Sequence, residues 1–318
     1  MPNYLSEKIT VGRGTEWELD GLLTLPPGAS AENPVPAVVL IHGSGAHDKD
    51  ETLFENKPFF DIADYLSSSG IAVIRYDKRT FTHSERMTEV LGANLENLTV
   101  WEETVEDAIL AANLAKADPR IDKNKVFALG HSLGGVLLPR IHITGGDFAG
   151  LILFAASPRL LPEIIIDQNN QVLRSMEEGA EKAAVQAQVD DVIAQVNALS
   201  SMTLEESKDA LFLEMPAYYL KEMALYPFAD CVKDIHVPFL VMHADRDLQV
   251  LTDVDFRLLK EMLGDRGNAE FRLYEGLNHL FMPSMVEHIT EIMTEYEKPA
   301  KIDGKVLQDI AAWVLGRS

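Results

Sequence analysis

Cysteine is almost missing from this 318-residue chain: Cys231 is the sole example, so no disulfide can form within it. A lone thiol without an activating neighbour in sequence reads as a small buried hydrophobe. Basic residues are also scarce. Twenty-eight lysines and arginines face 50 aspartates and glutamates, a formal charge of −22. Such a chain repels phosphate backbones and anionic lipid, so neither nucleic acid nor a membrane surface is an expected partner. Long apolar runs are lacking too. None approaches the roughly 18 residues of a membrane span, and the opening MPNYLSEKIT has no apolar stretch behind a basic start. These features lead to the expectation of a soluble, cytoplasmic protein. His47, His83, His142, His236, His243 and His288 form no ligand spacing such as His-x-x-x-His, so no metal is expected. Repeats and low-complexity tracts are absent as well.

Apolar residues, at 47% of the chain, suffice for one large core or two smaller ones. Lys8–Val11 and Trp17–Leu25 alternate apolar and polar around Gly12 and Gly14, a hairpin pattern. Continuous apolar runs follow at Ala37–Ile41, Val126–Leu129 and Gly150–Ala156, and Ile71–Tyr76, broken only by Arg75, reads as a further strand. Runs of that length suit strands covered on both faces. Helical spacing separates them at Pro58–Ser69, with Gly70 behind it, and from the Thr99-x-x-Glu102 capping box to Leu114. A third helix starts at Ser132, and Pro139 should end or kink it early. Strand–helix alternation implies βαβ units and a mostly parallel, twisted sheet flanked by helices.

From 157 to 235 no strand pattern appears. Helical stretches are expected at Glu177–Leu199, Leu204–Phe212 and Ala217–Ala224, with apolar clusters beside them. This segment reads as a helical cap (157–235) inserted into an α/β core made of 1–156 and 236–318. Its Met202, Met215, Tyr218, Tyr219, Met223, Tyr226 and Phe228 are read mainly as cap packing, a few of them as pocket lining. The α/β rhythm resumes with Val237–Met242, a helix over Asp253–Leu263, a strand at Glu270–Tyr274 and a last helix over Asp303–Leu315.

The chemistry collects where strands end. The Val126–Leu129 run leads into Gly130-His131-Ser132-Leu133-Gly134. A serine between such glycines sits on a sharp strand-to-helix turn with its hydroxyl exposed. Asp247 lies just past one strand and His279 just past another; 115 residues separate Ser132 from Asp247, and 32 separate Asp247 from His279. A serine hydroxyl needs an imidazole to take its proton, and the imidazole needs a carboxylate to hold its tautomer. Parallel strands place their C-terminal ends along one edge, so the three can meet. After Ala37–Ile41 comes His42-Gly43-Ser44-Gly45, whose backbone N–H groups can turn toward a ligand. His42 reads as a support for that loop, and Asp48, Lys49 and Asp50 as a solvated stretch.

The set Gly130-His-Ser132-Leu-Gly134-Gly, His42-Gly-Ser-Gly45, Arg75-Tyr-Asp-Lys-Arg79, Ala244-Asp-Arg-Asp247-Leu-Gln-Val250 and Leu277-Asn-His279 resembles the α/β-hydrolase fold. Within that fold it is similar to the dienelactone-hydrolase-like bacterial serine esterases. The resemblance implies a carboxylesterase working without a cofactor. Ser132 would be the nucleophile, His279 the base and Asp247 the acid, preferred over Asp245 by its offset from Val250. Leu133 and Ser44 would supply the oxyanion-hole amides, with Gly45 as the alternative to Ser44. The expected partner is a small-molecule ester cleaved through an acyl-enzyme. An acyl-peptide hydrolase or acyl-thioesterase on the same triad is the alternative, and a non-catalytic binding protein of this fold is disfavoured because all three triad residues are present. Homo-oligomerisation stays open.

Overall fold

A computed structural model describes residues 3–317. Ten strands carry the frame: β1 Leu5–Val11, β2 Leu19–Leu25, β3 Val35–Ile41, β4 Ala72–Tyr76, β5 Ile121–His131, β6 Leu151–Phe154, β7 Leu211–Phe212, β8 Met215–Pro216, β9 Phe239–Ala244 and β10 Ala269–Tyr274. Eight of them form one sheet in the order β1-β2-β4-β3-β5-β6-β9-β10. The β1–β2 and β2–β4 pairs are antiparallel; every other pair is parallel. The apolar runs are strands because both of their faces are covered. Val38, Leu40, Phe127 and Leu129 pack against the helices Pro58–Ser68 and Gly304–Leu315. Ala37, Val39, Ile41, Val126 and Ala128 face the other way, toward the helices Glu106–Ala117 and Leu133–Ile141. Each fully buried leucine, isoleucine or valine contributes about 1.5–3 kcal/mol relative to exposure.

Register aligns one edge of the sheet. Ile41 pairs with Gly130, His131 with Phe154, Phe154 with Met242, and Ala244 with Tyr274. The strand ends of β3, β5, β6, β9 and β10 therefore line up, and the loops bearing Ser44, Ser132, Asp247 and His279 leave the sheet on one side.

Several local expectations change. The Thr99 backbone N–H donates to the Glu102 carboxylate, which is one half of a capping box, but the Thr99 hydroxyl donates to that carboxylate and accepts the Trp101 N–H rather than the Glu102 N–H, and the helix opens with a wide π turn over Trp101–Val105. Pro139 lies inside the Leu133–Ile141 helix, which continues two residues beyond it before widening into a π turn at His142–Gly146. Between β6 and β9 the chain is mainly helical, at Leu161–Ser175, Ala180–Ser201 and Ala217–Met223. The first of these takes in most of Leu160–Ile166, which reads in sequence as an apolar cluster flanking the expected helices. The helix expected over Leu204–Phe212 shrinks to a 3₁₀ turn at Glu206–Asp209 followed by the small β7–β8 hairpin. Leu213 and Glu214, both at positive φ, make its two-residue turn.

Strand β5 and the helix behind it approach too closely for side chains. A Cβ on Gly134 would lie 2.4 Å from the Ile41 carbonyl oxygen, and one on Gly130 would lie 2.4 Å from the Gly134 oxygen. Both obstacles are backbone and cannot swing aside. Gly134→Ala is therefore expected to cost about 3 kcal/mol or more, lowering the thermal midpoint by roughly 6 °C or more. Gly179→Ala, where a Cβ meets nothing within 4 Å, should leave the midpoint near wild type. Equal midpoints for the two variants in calorimetry would refute this account of the β5–helix contact.

Candidate active site

Ser132 follows β5 directly and adopts φ 51° and ψ −118°. A non-glycine residue there is strained by about 1–3 kcal/mol. The turn is held by the Ser132 N–H donating to the Phe154 carbonyl at 2.9 Å, and by the Gly135 and Val136 N–H groups donating to the Ser132 carbonyl. Leu133 is the first helical residue, so its N–H has no acceptor within the helix. The positive end of the helix dipole favours negative charge at the same spot.

His279 and Asp247 meet as expected. His279 Nδ1 lies 2.6 Å from Asp247 Oδ2. The other carboxylate oxygen, Oδ1, accepts the Gln249 and Val250 N–H groups at 2.9 Å each. Burial works to raise the Asp247 carboxyl, but the His279 imidazole and these donors outweigh it and hold it below its ordinary value. Asp245, the competitor, is exposed and accepts the Gly276 N–H instead. Asn278 shapes the histidine loop: its Oδ1 accepts from Leu280 and Met282 N–H, and its Nδ2 donates to Glu295. Ser132, Leu133, Ser44, Gly45 and His279 share the wall of one cavity of about 290 Å³. Met215, Tyr219 and Met223 line it too, so part of the segment read as cap packing faces the site.

The loop after β3 is pinned rather than solvated. Buried His42 places Nε2 3.0 Å from the Asp48 carbonyl, and burial pulls its imidazole down to about 4, leaving it neutral. Asp48 accepts from Asp50 N–H, Thr52 N–H and the Thr52 hydroxyl; Lys49 pairs with Asp77, and Asp50 with Arg75.

One buried pair at the site is not apparent from sequence. Glu51 Oε1 accepts the Gly43 N–H at 2.8 Å, and its Oε2 lies 3.0 Å from His131 Nδ1, an approach aligned as a charge pair rather than a straight hydrogen bond. His131 Nε2 reaches the His279 carbonyl at 3.2 Å. Both ring nitrogens of His131 thus face acceptors, which only the doubly protonated ring can satisfy. The pair joins the loop after β3 to the loop bearing His279, with the residue before Ser132 between them. Among the described residues, no group of three or more His, Cys, Asp or Glu side chains is placed to hold a metal, and no helix is long and apolar enough to cross a membrane.

A sharp strand–serine–helix turn and a histidine–aspartate pair at the carboxyl edge of a mostly parallel sheet define an α/β-hydrolase. Residues 32–283 match the family Hydrolase_4, described as serine aminopeptidase, S33, and the chain belongs to that family. It is 34% identical over 298 residues to esterase EstD of Thermotoga maritima; the match takes in 93% of this chain and 65% of that protein's length. Among solved structures it is similar to Est1E from Butyrivibrio proteoclasticus, with a TM-score of 0.57, 16% identity and 98% of each chain covered. Est2 of Thermogutta terrifontis in its butyrate-bound form gives 0.56 at 16% identity, covering 98% of this chain and 94% of that one. At such identities these structures speak for the fold.

The Glu51–His131 pair makes stability pH-dependent in a defined window. Burial raises the Glu51 carboxyl, but the facing His131 charge outweighs it and holds the group at about 2 against an ordinary 4.5. Burial lowers His131, yet Glu51 outweighs that and raises it above 6.5. A depressed acid contributes stability above its ordinary value and loses it as the pH falls toward the folded value. A raised imidazole contributes below its ordinary value and loses stability as the pH rises through the folded one. Glu51→Gln should therefore be most destabilising between about pH 4.5 and 6.5, by about 2 kcal/mol, with the gap narrowing on both sides. Urea unfolding across pH 3–9 measures it; a gap constant with pH would contradict the assignment.

Proposed function

We propose that this chain is a carboxylesterase that works through an acyl-enzyme on Ser132. The supporting observation is the 2.6 Å Asp247–His279 contact on a cavity whose wall also carries the strained Ser132. Ser132 Oγ attacks the ester carbonyl while His279 Nε2 takes its proton. Asp247 keeps the Nδ1 proton in place and stabilises the imidazolium that forms. The oxyanion is received by the Leu133 and Ser44 N–H groups. His279 then gives its proton to the leaving alcohol, and water repeats the sequence on the acyl-enzyme.

Cavity chemistry favours a small, uncharged ester. Its apolar walls include Val136, Leu161, Ile164 and Met223, and about 290 Å³ lies at the low end for small-molecule sites. The carboxylate on its wall, Glu103, is occupied by Lys78 on one oxygen and by the Tyr219 hydroxyl on the other. An aminopeptidase substrate would need a free carboxylate for its ammonium group, and Glu103 does not offer one. Arg159 is likewise engaged, by Asp255 and Asp167.

A fluorophosphonate probe should label the wild type and not Ser132→Ala. Turnover of p-nitrophenyl acetate and butyrate should fall about 10⁴–10⁶-fold in Ser132→Ala and about 10⁴-fold in Asp247→Asn. Asp245→Asn should stay close to wild type. Near-wild-type turnover in Ser132→Ala would sink the reading, and faster cleavage of aminoacyl anilides than of esters would replace it with a peptidase.

A further inference from the structure

We propose that Lys78 is a positioning residue of the oxyanion hole, acting through the Gly43–Ser44 peptide. This rests on the reading above, in which the Ser44 N–H receives the oxyanion formed on Ser132.

Lys78 lies just past β4 and is only 2% exposed. Its ammonium donates to the Gly43 carbonyl oxygen at 2.8 Å. That carbonyl and the Ser44 N–H belong to one peptide unit. The unit is planar and trans, so the two groups point in opposite directions. Whatever fixes the carbonyl therefore fixes the direction of the N–H. Here the carbonyl is turned toward Lys78, which turns the N–H away from it, and Ser44 lines the cavity that holds Ser132. A cation on the carbonyl also draws electron density through the amide and strengthens the N–H as a donor. On the preceding peptide, the Gly43 N–H is held by Glu51 at 2.8 Å. The donor is thus oriented before charge appears, the condition under which an oxyanion hole is most effective. Gly45 offers no comparable arrangement: the carbonyl of its peptide, that of Ser44, meets the imidazole Nε2 of His47 at 2.8 Å and no ammonium.

The same ammonium neutralises Glu103, whose side chain lines the cavity. Tyr219, from the inserted segment, donates to the second Glu103 oxygen at 2.6 Å. Burial, reinforced by Glu103, pushes the Tyr219 phenol well above its ordinary value, so it remains a donor. Without Lys78, an unpaired carboxylate would stand on the wall of the chamber in which the oxyanion forms.

Two neutral designs test this. Lys78→Met/Glu103→Gln removes the ammonium without stranding the carboxylate. Lys78→Gln/Glu103→Gln keeps an N–H donor for the Gly43 carbonyl. The readouts are kcat and KM for p-nitrophenyl butyrate, and affinity for a trifluoromethyl ketone, which forms a hemiketal oxyanion on the serine. In the Met design kcat should fall about 10- to 100-fold with KM within about threefold, and ketone affinity should fall by the same factor as kcat/KM. The Gln design should recover part of both losses, and it carries the test alone should the Met design fail to fold. Undiminished kcat and ketone affinity in a folded variant would overturn the proposal. So would a loss confined to KM, or ketone binding that does not follow kcat/KM, because either marks a merely structural lysine. Absence of a ketone adduct on Ser132 in the wild type would overturn the Ser132 reading itself, and the Lys78 proposal with it; that failure shows in the wild type before any variant is made.

Discussion

The rest of the site depends on the close approach of three backbones at the end of β5. The β5 strand, the end of β3 and the helix from Leu133 come so near one another that Gly130 and Gly134 cannot carry a Cβ. A turn this tight leaves Ser132 no ordinary conformation, and the residue is held at φ 51°. The strain, about 1–3 kcal/mol, is sustained by rigid surroundings: strand pairing on both sides of β5, the Phe154 carbonyl on the Ser132 N–H, and a helix starting immediately afterwards. Lifting the serine hydroxyl above the sheet and starting a helix at the same point are one event. The first exposes the hydroxyl to the cavity, and the second leaves the Leu133 N–H without an intrahelical partner.

Other parts of the site are referenced to that turn. A Cβ on Gly43 would lie 3.3 Å from the Ser132 Cβ, so the loop after β3 passes directly over the serine. His131, one residue before it, contacts Glu51 on that loop and the carbonyl of His279 on the opposite one. Phe281, at φ 56°, stacks on Phe154 at 3.8 Å and fixes the histidine loop against β6. The strained residues at 132 and 281 thus sit where the loops carrying Ser132 and His279 must turn back onto the strands that support them.

Legibility in sequence follows from how each feature is encoded. Strands β3 and β6, the Val126–Leu129 part of β5, and most of β4 and β9 could be read because burial on both faces writes them as apolar runs, interrupted only by Arg75 and His243. Ser132 and Asp247 stand out because each follows such a run, and His279 because it follows the alternating β10, in an order for which the chemistry admits few residue types. The segment 157–235 was read less well. Its helix Leu161–Ser175 does carry Leu161, Ile164, Ile165, Val172 and Leu173 at helical spacing, but the unbroken Ile164–Ile166 run beside the polar Asp167–Gln171 stretch hides that face and reads as an apolar cluster. The β7–β8 hairpin turns on Leu213 and Glu214, residues without any turn signature. Glu51, Lys78, Glu103 and His131 escaped for another reason: as single letters they look like surface charges. Only the fold brings Lys78 to Glu103, or Tyr219 to a residue 116 positions earlier. The one available cue was Lys78 and Arg79 directly after the fully buried β4, where two cations cannot both reach water.

Those buried ions run against the cost of desolvation. A buried pair seldom stabilises more than apolar residues of the same volume would, because removing two charges from water costs several kcal/mol per ion. This chain nevertheless buries Lys78 with Glu103, Arg79 with Asp107, and His131 with Glu51 around the same strand ends. Apolar replacements could fill the space, but they could not fix a peptide plane. A methylene packs equally well against several orientations of a carbonyl; an ammonium or carboxylate binds one. In a cavity of about 290 Å³, a modest rotation of the Gly43–Ser44 unit would, on the proposed mechanism, turn its N–H away from the substrate carbonyl. The ions at 51 and 78 hold the two peptide groups of Gly43 from either flank, and this orientation is what their burial achieves where packing alone would leave the loop free to rock.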